Sequence, residues 1–316
     1  MINLNPLPQQ IYQLPMQMIL EVTRSCNQAC PFCSCPWFAP EAGELLPEIE
    51  IEEFCRMAAE FIAHGVRYIS ISGGEPTLKV GVEKLIVQVA ESLQKFYGRE
   101  QHLAFFTNCK NMTPEFLSLL AEHQVELYTS LPGLSSFAAQ TGETAADFRR
   151  VLKWIHLARQ QGIGVSVGVT IDRKMLHELF ETLSYAILSG ANQVILNLFK
   201  PSGRGLAQKN LALTPQESEQ VAQIADQVVE LCGNACRLGG EFPPEVKIAA
   251  HPQLVVENHC QACKRSLVVG PEGWLRSCEH DPVRLLPWRK WRNLPQLERY
   301  RQFMTRKDLA VCPLLD

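Results

Sequence analysis

Cys26, Cys30 and Cys33 are spaced C-x3-C-x2-C in the run Thr23-Arg-Ser-Cys-Asn-Gln-Ala-Cys-Pro-Phe-Cys33. Thiolates are soft ligands, and three of them on one short loop can each hold one iron of a 4Fe–4S cluster. The fourth iron is then left without a protein ligand, free to bind and reduce a small molecule. A cluster held by four thiolates, as in ferredoxins, chiefly passes electrons. By spacing alone the triad also suits a zinc knuckle or a set of reduced core cysteines. The preceding Met18-Ile-Leu-Glu-Val-Thr23 is apolar and β-branched, which predicts a buried strand delivering the cysteine loop from its C-terminal end.

With Phe32 between the second and third cysteines, this segment resembles the C-x3-C-x-Φ-C signature of the radical S-adenosylmethionine (radical SAM) superfamily. The resemblance implies that the amino and carboxylate groups of SAM's methionine chelate the open iron and that Phe32 lies near the adenine. Reduction then splits the sulfonium and releases a 5′-deoxyadenosyl radical. A second match is Ser70-Ile-Ser-Gly73-Gly74-Glu75-Pro76. Two glycines admit a ligand close to the backbone, and Glu plus Pro set the exit of the turn. In isolation this is an ordinary turn. One strand–helix unit after the triad, it resembles the family's GGEP motif, which binds the methionine amino group. Weaker matches follow. Thr107-Asn108 stands where relatives often read Thr-Asn-Gly, with Cys109 replacing the glycine. Ser130 lies in Thr129-Ser-Leu-Pro-Gly133, at a position that contacts SAM in many relatives. Thr170 and Leu198 end segments resembling those that flank adenine and ribose. Each of these also suits plain barrel filling.

The elements that must position these residues alternate regularly. Helices are predicted over residues 51–64, 82–97, 145–160 and 174–189, with another opened by Thr113-Pro114-Glu115. Strands are predicted over 68–72, 103–107, 125–130, 165–171 and 193–199, giving six strand–helix repeats with the first strand. Such a rhythm implies a parallel sheet with helices outside it. Because the rhythm stops near residue 200 and a full eightfold barrel takes about 250 residues, the expected fold is an α/β partial (β/α)6 TIM barrel. That is also the fold of the resembled family. Functional residues belong on the loops after the strands. The expected division is a barrel over 1–210, a helical bridge over 211–250 and a small auxiliary domain over 251–316.

Cys260, Cys263, Cys278 and Cys312 form a second constellation. Ser266-Leu-Val-Val-Gly-Pro-Glu-Gly-Trp-Leu-Arg-Ser277 predicts a β-hairpin bracketed by Cys263 and Cys278. The segment resembles the auxiliary-cluster domain of SPASM/Twitch radical SAM enzymes, in the shorter Twitch form. The resemblance implies a second, fully ligated 4Fe–4S cluster for electron transfer or structure. A zinc ribbon has the same ligand arithmetic. Cys55, Cys109, Cys232 and Cys236 suit buried thiols acting as small hydrophobes, whereas Cys35 sits beside the triad where it can interfere with assembly or act in the pocket.

A net charge of −3 without blocks of like charge gives nucleic acid no obvious purchase, although Pro287-Trp-Arg-Lys-Trp-Arg292 is a small basic-aromatic cluster, better suited to packing or peptide contact. No run of about 18 apolar residues predicts a membrane span. Twelve cysteines without an export signal predict metal ligation in the cytoplasm rather than a disulfide framework. Enzymes with Twitch or SPASM annexes mostly modify peptides or proteins. The resemblance therefore implies a precursor-peptide substrate and a flavodoxin or ferredoxin as reductant. With the first strand starting at residue 18, no leader-binding winged helix is expected to be fused, so a separate leader-binding protein is. Length, a single auxiliary site and the 129–133 segment look most like maturases of nif11-type precursors, which include the spliceases. These excise a tyramine unit and leave an α-keto-β-amino acid. A radical SAM enzyme acting on a small molecule and a non-catalytic iron–sulfur or zinc scaffold are the rival readings. Tyr128, Asp172, Glu241, His280 and Asp281 are polar candidates to which the sequence assigns no catalytic role.

Overall fold

A computed structural model of the chain describes residues 14–98, 102–243, 245–251, 253–256 and 262–305. Its centre is β1 (Gln17–Glu21), flanked in parallel by β2 (Tyr68–Ser72) and by β9 (Ser266–Val269). Met18, Leu20 and Val22 are fully buried. Cover on both faces suits a continuous apolar strand within a parallel sheet. From β2 the sheet continues in chain order through β3 (His102–Thr107), β4 (Glu126–Ser130), β5 (Val165–Ile171) and β6 (Gln193–Leu198), each parallel to the last.

The connecting helices are α1 (Ile51–Ala63), α2 (Val82–Tyr97), α3 (Pro114–Glu122), the short α4 (Phe137–Thr141), α5 (Phe148–Gln160) and α6 (Leu179–Leu188). The Thr113 hydroxyl caps α3 by accepting from Phe116 N, as Thr-Pro-Glu predicts. The segment expected as one helix over 174–189 divides into a 3-10 turn, Leu176–Glu178, and α6. The reason is Glu178. Its buried carboxylate accepts from the N–H groups of Leu134, Ser135 and Ser136 and so binds this turn to the start of α4.

The parallel sheet continues past the six expected strands. Helix α7 (Pro215–Cys232), opened by a Thr214/Glu217 capping box, crosses to β7 (Arg237–Gly240), and β8 (Leu254–Val256) follows in parallel. Periodicity hides β7 because half of it is glycine, a poor strand former. The glycines are needed by close approach. A Cβ on Gly239 would lie 2.1 Å from Val255 O, and one on Gly240 2.3 Å from Leu196 O.

The predicted hairpin is β9 with β10 (Trp274–Arg276), followed by β11 (Leu286–Pro287) and α8 (Glu298–Thr305). It is part of the main sheet, whose order is β11-β10-β9-β1-β2-β3-β4-β5-β6-β7-β8. A buried ion pair, Glu21 to Arg276, joins β1 to β10, and Arg24 meets Glu272 at 2.8 Å. The basic-aromatic cluster packs on α1. Trp288 and Trp291 are buried and donate to Glu53 and Glu60 at 2.9 and 2.8 Å, and Arg289 and Arg292 pair with the same carboxylates. These aromatic faces are therefore not open to nucleic-acid bases. No helix among the described residues is long and apolar enough to cross a membrane.

Candidate functional site: a cavity at the strand ends

The C-terminal ends of the parallel strands surround one cavity of about 650 Å³, within the usual range for a small-molecule site. Cys26, Cys30 and Cys33 line it, as do Phe32, Gly73, Gly74, Glu75, Pro76, Asn108, Ser130, Thr170 and Leu198. The fold thus brings the cysteine triad together with the motif residues that the resemblance pointed to. The cysteine loop is held at several points. Glu48 accepts from Arg24 N (2.7 Å) and Thr23 Oγ1 (3.1 Å), and Asn27 Oδ1 accepts from Asn108 Nδ2 (2.7 Å). Among the described residues no three donors converge on one point as a single metal ion requires. Three thiolates that each bind a different iron need not converge.

The Gly73–Pro76 turn packs directly on this loop. Gly74 N donates to Thr23 O and Glu75 N to Ser25 O, both at 2.7 Å. A Cβ on Gly73 would stand 2.7 Å from Thr23 O, and one on Gly74 only 2.3 Å from Ser25 O. The glycines are required first by the approach of the cysteine loop's own backbone, a reason the sequence reading did not give. Gly74→Ala is therefore expected to cost about 2–3 kcal/mol, as overpacking against fixed backbone does, and to loosen the cysteine loop. Chemical denaturation of the two proteins measures it, and a loss below about 0.5 kcal/mol, the range of neutral surface changes, contradicts the expectation.

Glu75 is buried. Its Oε1 accepts from Thr77 N (3.1 Å), Thr77 Oγ1 (2.8 Å) and Thr107 Oγ1 (2.8 Å), while Oε2 accepts from Asn108 N (2.8 Å). Burial raises its carboxyl above the usual range despite these donors. The side chain locks the turn to the end of β3 and leaves acceptor capacity on Oε2.

Comparison with known proteins agrees with this arrangement. The model of the family "Radical SAM superfamily" matches residues 20–186, more than half of the chain. The chain belongs to the radical SAM superfamily. It is 23% identical over 275 residues to the antilisterial bacteriocin subtilosin biosynthesis protein AlbA of Bacillus subtilis, covering 86% of this chain and 56% of AlbA. It is 28% identical over 287 residues to the mycofactocin maturase MftC of Mycobacterium tuberculosis, covering 87% of this chain and 68% of MftC. The chain thus spans about half to two thirds of the length of such curated relatives. In fold it is similar to Streptococcus suis SuiB bound to precursor peptide SuiA (TM-score 0.67, 13% identity, 93% of this chain and 66% of that one). It is also similar to anSMEcpe with bound AdoMet and Cp18Cys peptide (TM-score 0.66, 14% identity, 92% and 82%).

Membership in the radical SAM superfamily implies a 4Fe–4S cluster and SAM, and the residues present fit both. Three thiols, the Gly73–Pro76 turn and a cavity of suitable volume adjoin one another. Two of the three thiols, Cys26 and Cys30, are poorly ionised near neutral pH. Burial, reinforced by Cys33 and Cys26, pushes Cys30 up to about 12, and burial also raises Cys26. A hydrogen bond from Cys35 holds Cys33 down at about 7, and the same contact raises Cys35. Loading iron therefore releases protons, since ligation requires thiolates.

Other residues lining this radical SAM cavity are polar. Tyr128 stacks on Phe106 at 3.9 Å, and burial pushes its hydroxyl up to about 12. Lys200 pairs with Glu241, and Ser202 Oγ lies 2.8 Å from His280 Nδ1. Burial, helped by Lys200, pushes His280 down to about 4, so it is neutral near pH 7. Glu279 lines the same cavity, its carboxyl raised by burial. Of the polar candidates, Tyr128, Glu241 and His280 face the cavity. Asp172 instead accepts from Gln140 Nε2 and Met175 N, and buried Asp281 holds Arg299. Lys200 and Glu279 had no sequence signal. Lys200 follows the end of β6 and Glu279 lies in the loop after β10, and both line the cavity.

The hairpin register, Val268 opposite Arg276 and Val269 opposite Leu275, brings Cys278 and Cys263 to the same end, where Cys263 N donates to Ser266 O at 2.9 Å. Cys260 and Cys312 lie outside the described residues. Buried Cys109 donates to Thr129 Oγ1, and Cys236 is also buried, as small hydrophobes would be.

Proposed function

We propose that the chain is a radical SAM enzyme that modifies a ribosomally made precursor peptide. The observation that carries this reading is the shared cavity. The cysteine triad and the Gly73–Pro76 turn line it together with Tyr128, Glu241, Glu279 and His280. Cys26, Cys30 and Cys33 would hold the cluster. Backbone acceptors of residues 73–75 would take the methionine amine, and Phe32, Asn108, Ser130, Thr170 and Leu198 would border the nucleoside. When bound, the cluster and SAM supply a primary carbon radical able to take hydrogen from an unactivated C–H bond. The chain's part is to exclude water and present one substrate bond to that carbon, which the apolar core around the cavity and the anchored loop suit. Likeness to AlbA, MftC and SuiB, whose names or titles refer to bacteriocin biosynthesis, a maturase and a precursor peptide, supports a peptide substrate.

Several finer elements belong to the same reading. Cys260, Cys263, Cys278 and Cys312 hold a second 4Fe–4S cluster of Twitch type, for which the placement of Cys263 and Cys278 at one hairpin end is support. A separate small leader-binding protein presents the peptide, a flavodoxin or ferredoxin supplies the electron, and the reaction takes place in the cytoplasm. The reaction itself is excision of tyramine to leave an α-keto-β-amino acid, on overall likeness to the spliceases.

The test is anaerobic incubation of the reconstituted chain with SAM, dithionite and a precursor peptide encoded beside its gene. Peptide-dependent 5′-deoxyadenosine and a peptide lighter by one tyramine unit support the full reading. A crosslink, thioether or epimer retains the maturase but removes the splicease. Turnover indifferent to any peptide points to a small-molecule substrate. Zinc without acid-labile sulfide removes the second cluster.

A further inference from the structure

We infer that Cys35 is a fourth, exchangeable ligand, whose thiolate occupies the iron position left open by Cys26, Cys30 and Cys33 until SAM displaces it. The inference rests on the triad's holding a 4Fe–4S cluster and extends that reading to a residue outside the triad.

Cys35 lines the same cavity as the three ligands. Its sulfur donates to Gly73 O at 3.9 Å, so it sits against the turn proposed to take the methionine amine. The thiol thus stands where an incoming amino group must arrive. It stands only two residues after Cys33, which keeps it beside the ligand set. The backbone on both sides is anchored. Phe38 N donates to Cys35 O at 3.1 Å and Arg204 N to Cys33 O at 2.9 Å, and Pro36 stiffens the chain immediately after it. An open iron beside a held thiol is better served by soft sulfur than by water. As the iron–sulfur bond forms, the thiol proton leaves to solvent. When the methionine amino and carboxylate groups bind, that bond breaks and the sulfur regains a proton, with no electron transferred. The consequence is a closed cluster. Without SAM all four irons carry thiolate, so stray small molecules find no site at which to be reduced.

The experiment uses the anaerobically reconstituted full chain as wild type, Cys35→Ala and Cys35→Ser, with iron and sulfide counted first. Reduced samples are compared by electron paramagnetic resonance with and without SAM, and SAM affinity is titrated. The SAM-free spectra of wild type and Cys35→Ala should differ, the SAM-loaded spectra should coincide, and Cys35→Ser should fall between them without SAM. If the thiolate occupies the position about nine tenths of the time, its removal tightens SAM binding about tenfold. Superimposable SAM-free spectra with affinities within about twofold overturn the inference. Should the variants lose iron, Mössbauer spectra of wild type decide. A site-differentiated iron present before SAM is added overturns the inference, and one appearing only with SAM supports it. Iron at background in wild type sinks the cluster reading of the triad itself, and this inference with it.

Discussion

Replacing Cys26, Cys30 and Cys33 together by alanine is expected to end reductive cleavage of SAM. 5′-Deoxyadenosine formation should fall by more than about 100-fold, since loss of mere outer-shell partners already costs 10–100-fold. On the proposed reading each thiolate would bind a different iron, so no remaining sulfur could replace the set. The fold should survive. The loop is fastened by backbone and by Glu48, Asn27 and the glycine turn rather than by the thiols, and Cys26 is exposed in the protein without cluster. Far-ultraviolet circular dichroism and the unfolding midpoint of the iron-free protein should therefore be close to wild type while bound iron drops. Turnover that persists in the triple variant removes the proposed chemistry.

Arg276→Leu is expected to produce the largest loss of stability among single changes away from the cavity. Arg276 and Glu21 are both almost fully buried, 3% and 4% exposed, and they pair across β10 and β1. Burial already depresses the guanidinium to about 10, a sign of how little water reaches it. Removing the arginine strands the Glu21 carboxylate in the sheet, which costs about 3–5 kcal/mol. Adding Glu21→Leu to the same protein should recover most of that loss, because a buried ion pair replaced by apolar groups is often neutral. Denaturant unfolding of the single and double variants measures both numbers. A single-variant loss below about 1 kcal/mol, or a double variant no better than the single, contradicts the pair's role as the joint between barrel and hairpin.

Much of this molecule could be read from residue types and order alone, because local rules carried it. The C-x3-C-x-Phe-C spacing, the Gly-Gly-Glu-Pro turn one unit later and the alternation of apolar strands with capped helices each lie within a few residues of one another. Strand-end placement then follows from the parallel architecture. The Thr113 cap and the hairpin after Cys263 are of the same kind. Three features depended on contacts between distant segments. The glycine-rich β7 shows no strand pattern and joins the sheet because β6 and β8 close in on it. The hairpin, expected as a separate annex, pairs with β1 through backbone hydrogen bonds that no side-chain pattern encodes. The loop after β10 lines the cavity with Glu279 and His280, while Asp281 makes a buried contact with Arg299. Sequence therefore determined which chemistry the chain can host, since ligand spacing is local. Tertiary structure decided what shares the cavity with that chemistry, because its remaining lining comes from segments far apart in the chain.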